Sequence, residues 1–147
     1  MTHPTAKPIK AIILSAGQGR RLLPLTENTP KCLLPVADRP VLAWQIDALL
    51  AAGIRNITVI TGFQVGLIEE LLQQRYAQHP DIKILFNPFY EVADNLASCW
   101  IARGEMDSDF LILNGDTVIE AALLDKVLNS QTAPITLSVD FKDSYDA

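Results

Sequence analysis

The segment between positions 14 and 31 contains the residues most suited to chemistry. It begins where an apolar run gives way to small residues, which let the backbone turn sharply and approach a ligand closely. The candidate ligand-binding residues at the end of the run and in the turn are Leu14, Ser15, Ala16, Gly17 and Gly19. Successive backbone N–H groups in such a turn form a concavity that binds anions. Arg20, Arg21 and Lys31 add positive charge nearby, so the segment predicts a phosphate-binding loop.

Two common phosphate-binding loops do not fit this segment. The dinucleotide fingerprint requires a third glycine at the position that Leu22 occupies, and the P-loop requires a Gly-Lys-Ser/Thr tripeptide that the sequence lacks. Pro24 and Pro30 keep the chain in a loop instead of a helix. A Rossmann oxidoreductase also requires an acidic residue at the end of the second strand, where Thr61 and Gly62 stand.

Two motifs in the loop are more specific than its glycines. They are Ala-Gly-x-Gly-x-Arg-Leu-x-Pro-Leu-Thr at 16–26 and Pro-Lys-x-Leu-Leu-Pro-Val at 30–36. Together they closely resemble the signature of the sugar-1-phosphate type of nucleotidyltransferases, which join a nucleoside triphosphate to a phosphorylated small molecule. The resemblance implies catalytic roles for Lys31 at the α-phosphate and for Arg21 at the departing pyrophosphate. The alternative is that both are solvated loop charges.

Asp116 is the candidate metal ligand. It follows the apolar strand 110–113, and Gly115 leaves room beside it. A carboxylate suits Mg²⁺, which takes one or two protein carboxylates and completes its shell with phosphate and water. An aspartate after the central strand binds the metal in the family, so the resemblance implies a Mg²⁺ cofactor here. The alternative is that Asp116 caps the helix that follows.

The segment 87–100 departs from the sugar-phosphate members, which usually carry Gln-x-Pro and Gly-Leu-Ala patterns there. Asn87-Pro88 and the run 95–98, Asn-Leu-Ala-Ser, replace those patterns. This resembles the cytidylyltransferases that act on phosphocholine, inositol phosphate or aminoethylphosphonate. An amide matches both the donor and the acceptor of cytosine, so Asn87 and Asn95 are candidate base contacts. A turn-forming role for Asn87 and an N-cap role for Asn95 are the alternatives.

Three other side chains of this segment receive weaker assignments. Ser98 is a candidate ribose contact, or it faces the neighbouring strand. Phe89 and Tyr90 together would suit a quaternary ammonium group. Trp100 is expected in the core.

Strand and helix patterns alternate along the whole chain. The predicted strands are 9–14, 56–61, 81–86, 110–113 and 135–139, and the predicted helices are 39–53, 65–78, 96–103 and 119–128. Asp38 is expected to cap the first helix, with Pro40 just inside it. The βαβ order predicts an α/β fold with three αβα layers and a mostly parallel, Rossmann-like sheet. Ligands bind beyond the carboxyl ends of such strands, where the candidate residues lie.

Length and composition limit the classes of function. The 147 residues predict a single domain, and the net charge of −5 argues against a nucleic-acid partner. Two cysteines and two histidines form no zinc or disulfide pattern. No apolar run has membrane-spanning length and the first residues are not a signal peptide, so we expect a cytoplasmic protein without a membrane partner.

The resemblance extends from Ile9 to Asp146 but covers only the amino-terminal part of the family domain, so we expect a C-terminally incomplete sheet. None of the last aspartates matches the second metal-binding aspartate of the relatives. The exposed sheet edge leaves a homo-oligomer open. The predicted function is transfer of CMP from CTP to a phosphorylated small molecule, such as phosphocholine or inositol phosphate, with release of pyrophosphate. The alternatives are a sugar-1-phosphate uridylyl- or thymidylyltransferase and a catalytically incomplete nucleotide-binding fragment.

Overall fold

The computed structural model describes residues 10–130 and 133–139. The strands are β1 (Lys10–Ser15), β2 (Pro35–Val36), β3 (Arg39–Pro40), β4 (Asn56–Thr61), β5 (Ile82–Phe86) and β6 (Phe110–Asn114). The α-helices are α1 (Val41–Ala51), α2 (Val65–Tyr76), α3 (Asn95–Ile101) and α4 (Ala121–Asn129), and short 3₁₀ turns occur at Arg20–Leu22, Lys31–Leu33 and Ala102–Glu105. In this part of the chain, no helix combines the length and the apolar character that crossing a membrane requires.

Four strands form a parallel sheet in the order β5-β4-β1-β6. β1 is therefore central, and Leu14 near its end lies opposite Ile60 of β4 and Asn114 of β6. This register brings the carboxyl ends of β1 and β6 to the same edge of the sheet. The loops that follow these two strands carry the predicted phosphate-binding motif and Asp116, so the sheet topology alone places them side by side.

Helices cover both faces of the sheet, which confirms the three-layer α/β prediction. Side chains alternate along a strand, so Ile13 of β1 points into a large apolar cluster with α1, α2 and α4. Ile12 and Leu14 point to the other face, where α3 and the Ala102–Glu105 turn cover a smaller cluster. Burial on the first face provides most of the core.

The first helix begins later than predicted and has a different residue at its N-cap position. Arg39–Pro40 forms β3 and pairs with Pro35–Val36, so α1 starts at Val41 with Pro40 in the cap position. The prediction that Asp38 caps this helix is wrong. Asp38 has a φ of 62° in the turn between β2 and β3, and this turn separates it from the helix.

The prediction of a strand at 135–139 is also wrong. These residues form no strand in the structure, although their apolar side chains alternate. Ile135, Leu137 and Val139 are 81%, 80% and 64% exposed. An alternating pattern becomes a strand when a neighbouring strand supplies hydrogen bonds, and here β6 pairs with β1 alone among the described strands.

Trp100 does not lie in the core as predicted, because 66% of its surface is exposed. It lies on the outer side of α3, where the Arg103 guanidinium carbon is 4.5 Å from its ring centroid. Ser98 and Ala102 are the buried residues of this region. A small cluster on this face leaves little depth in which a large ring can be buried.

Candidate active site

The carboxyl ends of β1 and β6 open into a cavity of about 290 Å³. Seven of the predicted site residues line it, namely Leu14, Ser15, Gly17, Gly19, Lys31, Asn95 and Asp116. Cys32, Asn114 and Gly115 complete the lining and were not predicted as site residues. Asn114 and Gly115 lie directly before Asp116 in sequence, so their position at a strand end was a usable signal. The cavity therefore joins the predicted phosphate-binding loop to the strand end that carries the carboxylate.

A second cavity of about 440 Å³ adjoins the first, and Gly17 and Asn95 line both. Two further predicted residues, Ala16 and Ser98, lie in its wall together with Tyr90. Phe89 is not part of this wall and is 54% exposed, so it does not join Tyr90 in an aromatic cage. The two cavities provide adjacent volumes at one edge of the sheet.

Lys31 and Asp116 form an ion pair across the first cavity. The Lys31 Nζ donates to Asp116 Oδ2 at 2.6 Å, and both side chains are partly exposed. This hydrogen bond is the main reason why the pKa of the Asp116 carboxyl is lower than its ordinary value. The pair places one cation and one carboxylate at the point where the glycine-rich loop faces open space.

Gly19 controls the path of the Lys31 side chain. Its φ of 80° lies in the left-handed region that glycine adopts readily. A Cβ at this position would lie 2.8 Å from Lys31 Cβ, closer than real Cβ contacts allow. The second glycine of the motif is thus required both by the backbone and by the lysine beside it.

Hydrogen bonds within the loop fix its shape. Thr26 is fully buried and donates its hydroxyl to the Gly19 carbonyl at 2.9 Å. The Gln18 amide donates to the Thr26 carbonyl at 3.1 Å. These contacts join the start of the first motif to its last residue, which explains the threonine at its end.

Gly115 and Asp116 form a turn after β6, called the Asp116 turn below, which packs directly on β1. Gly115 N donates to the Leu14 carbonyl at 2.9 Å, and a Cβ on Gly115 would clash with Ser15 Oγ and that carbonyl. α4 begins at Ala121 with Glu120 at the N-cap, so Asp116 is not the helix cap. The alternative to the metal assignment is therefore wrong.

The donor set around Asp116 is compatible with Mg²⁺ but small. Within the described residues, no group of three or more His, Cys, Asp or Glu side chains can hold a metal. Asp116 offers one hard carboxylate beside an open cavity, and Mg²⁺ accepts one or two carboxylates when phosphate and water supply the other oxygens. The residues therefore fit a metal ion that arrives with a phosphate ligand.

Cys32 lies in the wall of the first cavity but is not suited to nucleophilic chemistry. It is 3% exposed, and burial raises the pKa of its thiol to about 12. The thiolate, which is the reactive form, is therefore scarce at neutral pH. Cys32 acts as a small apolar residue beneath the loop.

The three candidate base and ribose contacts, Asn87, Asn95 and Ser98, differ in whether they reach the cavities. Asn87 is fully buried, donates to Ser98 Oγ at 3.1 Å and accepts from Phe89 N at 2.9 Å, as in its turn-forming alternative. Asn95 is exposed between the two cavities, with its Nδ2 3.4 Å from Asn114 Oδ1. It is not the N-cap of α3, because Asp94 accepts from Leu96 N at 2.9 Å. Asn95 and Ser98 thus reach the cavities, and Asn87 lies behind Ser98.

Arg21, like Asn87, is a predicted site residue that lines neither cavity. It lies in the exposed 3₁₀ turn Arg20–Leu22, and its side chain forms no ion pair or hydrogen bond with the described residues. Its neighbour Arg20 lines a smaller cavity with Gln18 and Tyr90. A cation on this loop without a partner in the described part of the chain remains available to a ligand.

A parallel αβα sheet with a glycine-rich loop, a lysine and a carboxylate at its carboxyl edge has the architecture of nucleotide-binding α/β proteins. The chain belongs to the nucleotidyl transferase family, whose sequence model matches residues 10–144. The resemblance predicted from the two loop motifs is therefore confirmed.

Two relatives illustrate the branch of the family that this chain is similar to. It is 36% identical over 124 residues, 84% of its length, to the CMP-5'-(3-aminopropyl)phosphonate synthase of Streptomyces rubellomurinus. It is 37% identical over 104 residues, 71% of its length, to the choline-phosphate cytidylyltransferase of Streptococcus pneumoniae. The aligned regions span 20% and 43% of these two relatives.

Solved structures support the fold. The CTP:phosphocholine cytidylyltransferase of Streptococcus pneumoniae matches 78% of this chain and 50% of its own, with a TM-score of 0.67 and 32% identity. The inositol-1-phosphate CTP transferase of T. maritima matches 86% of this chain and 51% of its own, with a TM-score of 0.72. The identity to the second is 16%, so this likeness concerns the fold alone. The chain spans about half the length of both structures.

Proposed function

We propose that this chain carries the nucleotide-binding part of a cytidylyltransferase, which transfers CMP from CTP to a phosphorylated small molecule and releases pyrophosphate. The observation that carries the proposal is the Lys31–Asp116 pair at 2.6 Å beside the glycine-rich loop. It combines a cation for phosphate, a carboxylate for a metal and backbone N–H groups in one cavity. Such transfers depend mainly on positioning and on neutralising phosphate charge.

The preference for CTP is supported by the relatives and by the segment 87–98. Two relatives at 36% and 37% identity are named for CMP or cytidylyl chemistry. Asn95 and Ser98 line the second cavity, where amide and hydroxyl groups can pair with a base and a ribose. The proposed acceptor is a small molecule with a phosphate or phosphonate group, of the phosphocholine, inositol phosphate or aminoethylphosphonate type.

Lys31 exchanges its partner when the triphosphate arrives. In the ion pair its ammonium neutralises Asp116, and in the complex it would pair with the α-phosphate and the incoming phosphate oxygen. The freed Asp116 carboxylate would then hold Mg²⁺ together with the triphosphate oxygens, and that ion would supply further neutralisation of the phosphate charge. Arg21, which has no ion-pair partner among the described residues, would bind the departing pyrophosphate.

We further propose that the protein works in the cytoplasm. Two cysteines without a disulfide pattern support that location. Self-association also remains a proposal. It is supported by the position of β6, which pairs with β1 alone among the described strands, since an edge strand can pair with another chain.

Pyrophosphate release tests the proposed function. CTP, UTP, dTTP, GTP and ATP are compared in the presence of Mg²⁺, phosphocholine, inositol phosphate, aminoethylphosphonate and glucose 1-phosphate. We expect pyrophosphate release with CTP. In Lys31→Ala the rate of release should fall on the order of a hundredfold, because one preorganised phosphate contact disappears. Lys126→Ala, which removes the same charge from α4, is the matched control and should keep the activity.

The other outcomes identify the alternatives. Release with UTP or dTTP and glucose 1-phosphate would contradict the cytidylyltransferase and indicate a sugar-phosphate transferase. Triphosphate binding by calorimetry without release would indicate that the chain binds nucleotide without catalysis. Absence of both would contradict the nucleotide site itself.

A further inference from the structure

Gln45 is a fully buried polar residue of α1 that contacts the Asp116 turn. Its Nε2 donates to the Asn114 carbonyl at 2.6 Å and to the Thr117 carbonyl at 2.8 Å. These two carbonyls stand on either side of the dipeptide Gly115-Asp116. One amide group therefore connects both ends of the turn that carries the carboxylate.

The two hydrogen bonds that Gln45 donates explain why this residue is a glutamine although its side-chain oxygen is unpaired among the residues that the structure describes. Its Oε1 is buried and has no hydrogen-bond partner among residues 10–130 and 133–139. Rotation of the amide would direct that oxygen at two carbonyl oxygens, so the two acceptors determine the orientation of the group. An apolar side chain of equal length would fill the same space without leaving a buried oxygen unpaired. Packing alone thus does not account for an amide here, whereas the two donated hydrogen bonds do.

The Asp116 turn is held from two directions. From the sheet side, Gly115 N donates to the Leu14 carbonyl at 2.9 Å. From the helix side, Gln45 holds the carbonyls that flank Gly115 and Asp116. The Asp116 side chain then reaches Lys31 with its Oδ2, while its Oδ1 accepts from the Thr117 hydroxyl at 3.3 Å. The position of the carboxylate therefore depends on a residue 69 positions before Asn114.

We propose that Gln45 is a positioning residue, which sets the affinity of the site for a metal–triphosphate complex by fixing the turn that carries Asp116. This inference rests on the proposed function, since it assigns the metal of the CTP complex to Asp116. Gln45 does not touch the ligand in this arrangement and acts through the Asn114 and Thr117 carbonyls.

Binding of CTP with and without Mn²⁺ tests the proposal. Gln45→Met keeps the length and apolar bulk of the side chain and removes both donors, and Gln45→Glu keeps the shape but replaces the donors by a carboxylate. We expect Mn²⁺–CTP to bind both variants about tenfold more weakly than the wild type, as for loss of a group that orients a metal ligand. CTP in EDTA should bind Gln45→Met with the wild-type affinity, and Asp116→Asn should likewise weaken the binding of Mn²⁺–CTP.

Ile46→Val is the control for a general loss of stability. Ile46 is the fully buried neighbour on α1 and has no polar group that could hold the turn, so this variant lowers global stability and should bind Mn²⁺–CTP like the wild type. Wild-type affinity of Gln45→Met for Mn²⁺–CTP would overturn the proposal. Equal weakening with and without Mn²⁺ would also overturn it, because general damage to the site does not distinguish the two ligands.

Amide hydrogen exchange separates this proposal from the proposed function. If the wild type binds no CTP, the proposed function fails, and exchange at the Gly115 and Thr117 amides, which donate to the Leu14 and Asn114 carbonyls, still tests the positioning of the turn. Exchange at least tenfold faster at these two amides in Gln45→Met, with unchanged rates in β1, would support positioning. Unchanged exchange at the two amides would overturn it.

Discussion

At the scale of single residues, the placement of Lys31 depends most directly on Gly19. The left-handed backbone of this glycine turns the loop, and its missing side chain leaves the space through which the Lys31 stem passes. Gly53 also has a positive φ, but no atom lies within 4 Å of the position of its Cβ. The two glycines thus share a backbone conformation and differ in their neighbours.

Gly19→Ala is expected to weaken CTP binding about tenfold, because its Cβ displaces Lys31 from the cavity. Gly53→Ala also places an alanine at positive φ, so both variants should lose about 1 kcal/mol in free energy of unfolding, but Gly53→Ala should bind CTP normally. Calorimetry measures the affinities and urea denaturation measures the free energies of unfolding. Equal CTP affinities in the two variants would show that Lys31 adapts to a methyl group at position 19.

At the scale of elements, a cluster of charges connects β1 and β5 to the Ala102–Glu105 turn. Glu105 accepts from Lys83 at 2.8 Å and from Lys10 at 3.5 Å, and Lys10 also pairs with Asp107 at 2.7 Å. Lys10 begins the strand whose other end enters the cavity. The cluster therefore lies at the opposite edge of the sheet from the candidate site, so it concerns stability and not chemistry.

Glu105→Gln is expected to lower stability at pH 7 by less than about 1 kcal/mol, as is usual for partly exposed ion pairs. The Lys83 hydrogen bond lowers the pKa of Glu105 below its ordinary value of 4.5. Its stabilising contribution is thus complete above pH 4.5 and disappears as the pH falls through the lowered pKa of the folded state. Urea denaturation of both proteins between pH 7 and pH 3 measures this, and a difference independent of pH would contradict it. Glu69→Gln, on the exposed side of α2, is the control and should have the wild-type free energy of unfolding at both ends of this pH range.

At the scale of the whole molecule, the two faces of the sheet are covered unequally. Ile12 and Ile13 are adjacent on β1 and both are fully buried, but they point to opposite faces. Three helices pack on the side of Ile13, whereas α3 and a 3₁₀ turn cover the side of Ile12. β6 exposes Phe110 and Ile112, which are 36% and 44% exposed.

Ile13→Ala is therefore expected to destabilise the protein by about 3–5 kcal/mol and Ile12→Ala by about 2 kcal/mol. The cost of a cavity depends on how far the surroundings collapse, and the thinner layer over Ile12 relaxes more easily. Urea denaturation of the two variants measures the difference. Equal losses would show that the second face is as tightly covered as the first, and light scattering on the same samples would reveal whether a second copy covers it.

The sequence by itself determined the features that depend on local order. The alternation of strands and helices follows from apolar periodicity, and the glycine-rich loop follows from small residues that repeat within a few positions. The sequence also placed Leu14 and Asp116 at strand ends and Gly19 and Lys31 in the loop after the first strand, and a parallel sheet collects such residues at one edge. These predictions needed no knowledge of which strands are neighbours.

The tertiary structure alone decided which distant groups meet. Lys31 and Asp116 are 85 positions apart, and their pairing depends on β1 and β6 being adjacent in the sheet. The contacts of Gln45, the internal use of the Asn87 amide and the exposure of Trp100 depend likewise on which element packs against which. The segment 135–139 shows most clearly what a sequence pattern cannot predict. Its alternating residues are typical of a strand, but a strand forms only when a neighbouring strand supplies the hydrogen-bond partners.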